Sequence, residues 1–317
     1  MQVSGDSFES PDPTFMFCCL GPPGRDENHK TIPPFKEGAS CIMKKKIQPP
    51  TLSPEYGLID SHCHLDMEAG QDDIDDIIRS AEQCHVHTII TIGIDLASSR
   101  QAVELAHTYP GVYASVGIHP HSAEEGDDAV YQQLKELASS EKVVAYGEIG
   151  LDYAKQYAPV ERQRLEFSRQ LELAKDLDLP IIIHDREAHE DTLHIIKEQG
   201  PFPAGGVMHC FSGDMTFARQ VLDLGLYISI PGIVTFKNAS ELQKVAREIP
   251  LERMLLETDG PFLTPAPFRG KRNRSEYLLY TAAMVAELRD ISIDEVARQT
   301  SRNTRRLFSL PEQGDEQ

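Results

Sequence analysis

From Gly57 onward the chain repeats one unit, a short apolar run followed by an amphipathic segment, and this rhythm limits the fold more than any other feature. The runs cover residues 58–61, 88–92, 112–117, 143–146, 179–183, 206–208, 226–230 and 253–256. Several are nearly continuous in Val, Ile and Leu, as parallel strands covered on both faces require. Between the first two runs, Ile74, Ile77, Ile78, Ala81 and Cys84 fall on one helical face. Asp72, Asp73, Asp75 and Asp76 load the start of that helix, where carboxylates suit the dipole. Phe167, Leu171, Ala174 and Leu177 form a similar stripe between the fourth and fifth runs, and further helices are expected over 129–139, 216–224, 238–248, 276–289 and 293–308.

Eight strand–helix units in residues 57–317 match the size and order of an α/β fold of the (β/α)8 TIM-barrel type, usually about 250 residues long. A doubly wound open sheet is the structural alternative, but the first strand–helix turn lacks a glycine-rich phosphate loop. The expected organisation is therefore a single barrel domain over 57–317 behind an irregular N-terminal extension over 1–56. That extension is rich in Pro and Gly, carries Lys44-Lys45-Lys46 and shows no strand or helix period. It is expected to be flexible and dispensable for folding.

Composition sets the setting. With 40% hydrophobic and 26% charged residues the chain is globular rather than disordered. No apolar stretch approaches the ~18 residues needed to span a bilayer. The early run from Phe15 to Leu20 lacks the flanks of a secretory signal, and the six cysteines show no zinc-ribbon or disulfide spacing. The expectation is a cytoplasmic protein with no membrane association and no obligate protein partner. The formal charge of −19 argues at first against nucleic acid, which is normally held by a Lys/Arg excess.

The polar residues at the ends of the strands carry the chemistry, because barrel enzymes place their reactive groups at the C-terminal mouth. The first run leads into Asp60-Ser61-His62-Cys63-His64, where strand alternation sends His62 and His64 to one side, forming an edge of a metal site. The fourth leads into Gly147-Glu148-Ile149-Gly150-Leu151-Asp152, the fifth into His184-Asp185-Arg186-Glu187, the sixth into His209-Cys210-Phe211-Ser212-Gly213 and the eighth into Glu257-Thr258-Asp259-Gly260-Pro261. Any one of these residues alone is better read as structural. Four histidines and two carboxylates at one mouth are not, since leaving all six unpaired there is costly. His85-Val86-His87 is a second His-x-His, but it precedes strand two, at the opposite mouth, and is read as the end of a helix unrelated to metal.

The block Asp60 to Asp66, the run Gly147 to Tyr153, the segment Leu179 to Ala188, His209 to Gly213 and Leu255 to Pro261 together resemble the signature segments of the TatD family of metal-dependent deoxyribonucleases, within the metallohydrolase barrels. They occur in family order over about residues 57–310. The resemblance implies that His62 and His64 hold one divalent ion with Asp259, that His184 and His209 hold a second, and that Glu148 bridges the two. It also implies that Asp259 and Glu148 are catalytic, with Asp259 taking the proton of the attacking water, and that Asp152 supports the site.

His119, in Gly117-Ile118-His119-Pro120-His121, resembles a family position that touches phosphate, whereas His121 is read as structural. Arg186 shares the side of His184 and suits bidentate pairing with phosphate. Arg269, Lys271, Arg272 and Arg274 resemble a basic family loop, although Arg274-Ser275 stands where the family usually continues with an acidic residue and Pro. They are expected to bind substrate.

The implied activity is metal-dependent hydrolysis of DNA phosphodiesters, trimming strand ends 3′ to 5′ in DNA repair or turnover, with RNA an open second substrate. An amidohydrolase acting on a C–N or ester bond is the alternative, since this barrel serves both. Many of those enzymes bridge their metals with a modified lysine, and here the position is Glu148. A non-enzymatic binding protein would be expected to have lost one of the six ligands, and none is missing. Four imidazoles favour Zn²⁺ or Mn²⁺ by softness, while the family resemblance points to Mg²⁺. Residues 57–317 carry −18 of the −19, since the leader holds six basic and seven acidic side chains. Such a charge excludes broad backbone wrapping and leaves a small cationic mouth, suited to a few nucleotides at a strand end.

Overall fold

The computed structural model describes residues 49–68 and 73–311. Most of the N-terminal extension, including Lys44 to Lys46, lies outside the described residues. Its last part packs on the domain: Leu52 is buried, and the Ser53 N–H and hydroxyl donate to the Asp294 carboxylate at 3.0 and 2.6 Å.

The eight strands are β1 (Leu58–Cys63), β2 (Val86–Ile92), β3 (Val112–Val116), β4 (Val143–Asp152), β5 (Ile181–Arg186), β6 (Gly206–Met208), β7 (Tyr227–Ile230) and β8 (Met254–Leu256). All pair in parallel, each with its sequence neighbour. A bridge between Cys63 and Gly260, with Asp259 N–H donating to His62 O at 2.9 Å and His64 N–H to Gly260 O at 2.7 Å, joins the last strand's end to the first. This is the expected (β/α)8 barrel. One apolar cluster takes Ile59, Ile90, Tyr113, Val144, Ile182, Val207, Tyr227 and Leu255, a residue from every strand, and fills the interior.

The helices are α1 (Leu65–Glu68), α2 (Ile74–Gln83), α3 (Leu96–Thr108), α4 (Asp128–Ala138), α5 (Val160–Asp176), α6 (His189–Gln199), α7 (Met215–Asp223), α8 (Ser240–Glu248), α9 (Leu278–Arg289) and α10 (Ile293–Phe308). The Asp73 carboxylate caps α2, accepting from Asp75 N–H at 3.1 Å, with Asp75 and Asp76 in the first turn, as the acidic run foretold. Two helices, α3 and α6, occupy connections where no apolar stripe was read. The buried face of α3 is Ser98, Ser99, Ala102, Val103 and Ala106, too small and polar to register as a hydrophobic period. Leu307 and Phe308 at the end of α10, with Leu310 beyond it, join the interior cluster. Among the described residues, no helix is long and apolar enough to cross a membrane.

Two strands depart from regular pairing where it matters. The β1–β2 register shifts between Asp60 and Cys63, and the β4–β5 register shifts between Tyr146 and Ile149. Because a shift of one residue turns side chains to the other face, these irregularities re-aim His62 and Glu148 at the mouth.

Candidate metal centre

The six residues named from the sequence meet in one place. Glu148 lies at the centre, and its two carboxylate oxygens face different partners. Oε2 lies 3.4 Å from His62 Nε2 and 3.9 Å from His64 Nε2. Oε1 lies 2.6 Å from His184 Nδ1, 2.7 Å from His209 Nε2 and 3.4 Å from His119 Nε2. Asp259 closes the first group, its Oδ1 3.5 Å from His64 Nε2 and 3.8 Å from His62 Nε2.

Local backbone explains the aim of these groups. Asp259 sits at φ +56°, a left-handed conformation that Asp tolerates better than bulkier residues. Glu148 lies between Gly147 and Gly150, at φ +155° and +146°. A Cβ at Gly150 would stand 2.0 Å from the His184 carbonyl oxygen, so only glycine lets β4 and β5 approach there.

The donor set fits divalent cations. Both ring nitrogens of buried His62, His64 Nδ1, His184 Nε2 and His209 Nδ1 lack a well-formed hydrogen bond, a costly arrangement for buried polar atoms that metal ligation by one nitrogen of a ring relieves. Three ligand groups have the spacing a metal ion needs: His62, His64 and Glu148; His62, His209 and Asp259; His119, Glu148 and His184. His119, expected only at the substrate, thus stands among the possible ligands.

Electrostatics sort the groups. Burial would raise the Glu148 pKa, but the charge of His209 and hydrogen bonds from His119 and His184 hold its carboxyl well below the usual range. Burial opposes charge on His209 too, yet Glu148 and Glu257 hold its imidazolium well above the ordinary value. Burial pushes His119 down to about 4, so it is a neutral imidazole, the form that ligates a metal. Asp259 is depressed despite its burial, because His64 donates to it and His62 stands near. It is therefore ionised.

Supporting residues surround this core. Asp152 is buried, with its Oδ2 2.8 Å from His121 Nε2 and 3.4 Å from His184 Nε2, which places its carboxylate beside the ligand cluster. His121, read as structural, lines the cavity through this pair. Glu257, fully buried, accepts from Cys210 N–H at 2.6 Å and lies 3.7 Å from His209 Nδ1. Asp60 accepts from Thr258 N–H at 2.9 Å, from its hydroxyl at 2.5 Å and from Ser275 Oγ at 2.7 Å, tying β1 to the segment after β8. Neither acid was singled out from sequence. Their only signal was an acidic residue inside an apolar strand end.

A cavity of about 510 Å³ opens on the cluster of histidines and carboxylates, walled by Met67, Ile94, His119, Arg186, Ile233 and Phe262 among others. The basic loop stands elsewhere. Arg272 donates to the Met67 carbonyl, the Arg269 guanidinium lies 4.2 Å over the Phe236 ring, and Lys271 lies 5.2 Å over Phe268. None of Arg269, Lys271, Arg272 and Arg274 lines the cavity.

A nearly closed parallel barrel with histidines and carboxylates converging at its C-terminal mouth is the architecture of the metal-dependent hydrolases. The family model described as TatD related DNase matches residues 59–309. The metal-dependent hydrolase YabD of Bacillus subtilis is 43% identical over 80% of this chain and 99% of its own. YcfH of Escherichia coli K12, also a metal-dependent hydrolase, is 39% identical over 80% of this chain and 96% of its own. The crystal structure of the TatD homologue YjjV from the same bacterium superposes with a TM-score of 0.77 at 36% identity, over 80% of this chain and 98% of that one. The chain belongs to the TatD family.

Proposed function

We propose that this hydrolase cleaves phosphodiester bonds of DNA, removing nucleotides from strand ends in the 3′-to-5′ direction in DNA repair or turnover in the cytoplasm. The observation that carries the reading is the split of Glu148, one oxygen toward His62 and His64, the other toward His184 and His209. A single carboxylate faced by histidines on both sides suits a pair of ions, the arrangement that clamps a phosphodiester between attacking and leaving oxygens.

In this reading His62, His64 and Asp259 hold one ion, His184 and His209 hold the other, and Glu148 is shared. When bound, divalent ions (Mg²⁺, Mn²⁺ or Zn²⁺) neutralise phosphate charge and make water a nucleophile at neutral pH. The protein's own groups do the rest. Asp259, ionised and facing the cavity, accepts the proton of the attacking water. Neutral His119 and exposed Arg186 stand in the cavity wall, where they donate to phosphate oxygens. Arg269, Lys271, Arg272 and Arg274, outside that wall, are left with phosphates further along the strand.

The test is metal-stripped protein resupplied with Mg²⁺, Mn²⁺ or Zn²⁺ and offered end-labelled single- and double-stranded DNA, RNA and a panel of amides. Product ladders growing from the 3′ end are expected. Amide cleavage without DNA cleavage would assign the site to amidohydrolase chemistry instead. Asp259→Asn should retain the fold by circular dichroism and lose about 10²- to 10⁴-fold in turnover; near-normal activity would remove it from the proton-accepting role.

A further inference from the structure

Three large apolar side chains stand more than half or half exposed among the described residues: Tyr157 at 67%, Leu165 at 57% and Phe262 at 50%. Two of the three sit against histidines of the cavity wall. Phe262 lines the cavity and packs edge-to-face with His64, ring centroids 6.1 Å apart. Tyr157 packs edge-to-face with the cavity residue His121 at 4.8 Å. Their chain positions put them across from one another. Tyr157 follows β4 and Phe262 follows β8, and in a barrel whose eight strands run in sequence order these two strands are half a turn apart.

The charge of the cavity makes such groups necessary. Its wall holds four carboxylates, Glu148, Asp152, Asp185 and Asp259, against one arginine, Arg186. Two bound divalent ions offset those carboxylates but leave little to attract more than the phosphate being cut. A protein that carries −19 overall gains little from counterion release along a strand. Within the cavity, affinity for the neighbouring nucleotides therefore comes from their bases, and flat, solvent-facing aromatic rings beside an apolar wall of Met67, Ile94, Ile233 and Leu263 supply it, while the basic loop meets phosphates further along the strand.

We infer that Phe262 and Tyr157 are stacking platforms for the bases on either side of the scissile phosphodiester. This rests on the phosphodiesterase reading above. Both rings are specificity-determining residues. They hold the strand so that its terminal phosphodiester meets Glu148 and Asp259, and take no part in the bond cleavage.

The experiment uses the full-length, metal-loaded protein and short DNA strands, with 2-aminopurine at the terminal base or at the base before the scissile bond as a stacking probe. Phe262→Ala and Tyr157→Ala are each expected to raise KM for single-stranded ends about ten-fold, the loss falling on KM rather than kcat, and each to abolish quenching of 2-aminopurine at one position only, the terminal base for one variant and the base before the scissile bond for the other. Phe262→Tyr and Tyr157→Phe restore both, and Leu165→Ala, on α5 and outside the cavity wall, changes neither. Removing the terminal bases from the substrate should cost the wild-type protein the same ten-fold, with no further loss when the matching aromatic is also removed. Alanine variants with wild-type KM and quenching on DNA that the protein cleaves would overturn the stacking inference and leave the phosphodiesterase reading intact. Failure of the wild-type protein to cleave any nucleic acid would overturn both.

Discussion

His62-Cys63-His64 and His85-Val86-His87 spell the same motif, and their rings stand in nearly the same relation, centroids 5.2 Å apart at 80° in the first pair and 6.3 Å at 83° in the second. Their surroundings differ completely. The first pair lies at the C-terminal end of β1, buried, with Glu148 and Asp259 within 4 Å. The second straddles the start of β2: His85 takes φ +63° just before the strand, and His87 is its exposed second residue. No carboxylate joins His85 or His87 in a group spaced to hold metal among the described residues. Two imidazoles are thus only half a site. The other half is supplied by Glu148 late in β4 and Asp259 just after β8, both at the C-terminal mouth.

The comparison breaks hardest at the shared partner. Glu148→Gln keeps the shape of the side chain but removes the charge that both histidine groups face. Turnover should fall by about 10³-fold or more, with loss of bound metal by elemental analysis. Full metal content and activity would show that the histidines alone make the site. Next in size, His62→Asn should weaken metal binding by about 10²-fold, read by calorimetry, since it strips a ligand from two of the three groups that could hold an ion.

The barrel was legible because its eight buried strands, each with a helical connection, leave periods that a sequence shows directly. The six central site residues were legible for a related reason, since polar groups in apolar surroundings stand out where each strand should stop. What stayed hidden depends on the third dimension. The register shifts at Asp60–Cys63 and Tyr146–Ile149 leave no mark in composition, yet they set where His62 and Glu148 point. His119 is expected only as a substrate contact because its motif resembles a phosphate-touching family position, and its 3.4 Å approach to Glu148 Oε1 is a tertiary contact that the motif does not show. The loop from Arg269 to Arg274 was read from its charge and from its place after the eighth strand. Its guanidinium on Phe236 and its bond to Met67 are tertiary contacts that charge cannot reveal.

Glu257 sharpens the comparison from within the first site. It is fully buried, accepts from Cys210 N–H at 2.6 Å, and lies 3.7 Å from His209 Nδ1, whose own ε nitrogen is 2.7 Å from Glu148. At that distance the carboxylate forms no hydrogen bond to the imidazole and acts through its charge, which raises the basicity of His209. His85 and His87 belong to no such chain. Glu257→Gln preserves an acceptor for the Cys210 N–H while removing the charge, so metal affinity should fall by about ten-fold with the fold intact. An unchanged affinity would reduce Glu257 to a backbone anchor for the turn at Cys210.

The smallest effect is expected at the second motif, and it is the one that isolates place from pattern. Asparagine is the substitution of choice at His85 because it tolerates the φ of +63° there, whereas a β-branched residue would add strain unrelated to metal. The His85 carbonyl, which accepts the Leu58 N–H at 2.7 Å, is kept by any side chain. His87 is exposed, so replacing it should cost within about 0.5 kcal/mol. The double variant His85→Asn, His87→Asn should therefore hold metal content and turnover within about two-fold of the parent, with Tm lowered by no more than about 2 °C. A larger loss of metal would mean that a His-x-His at the opposite mouth also binds an ion, and that position along the barrel axis does not decide which pair becomes a site.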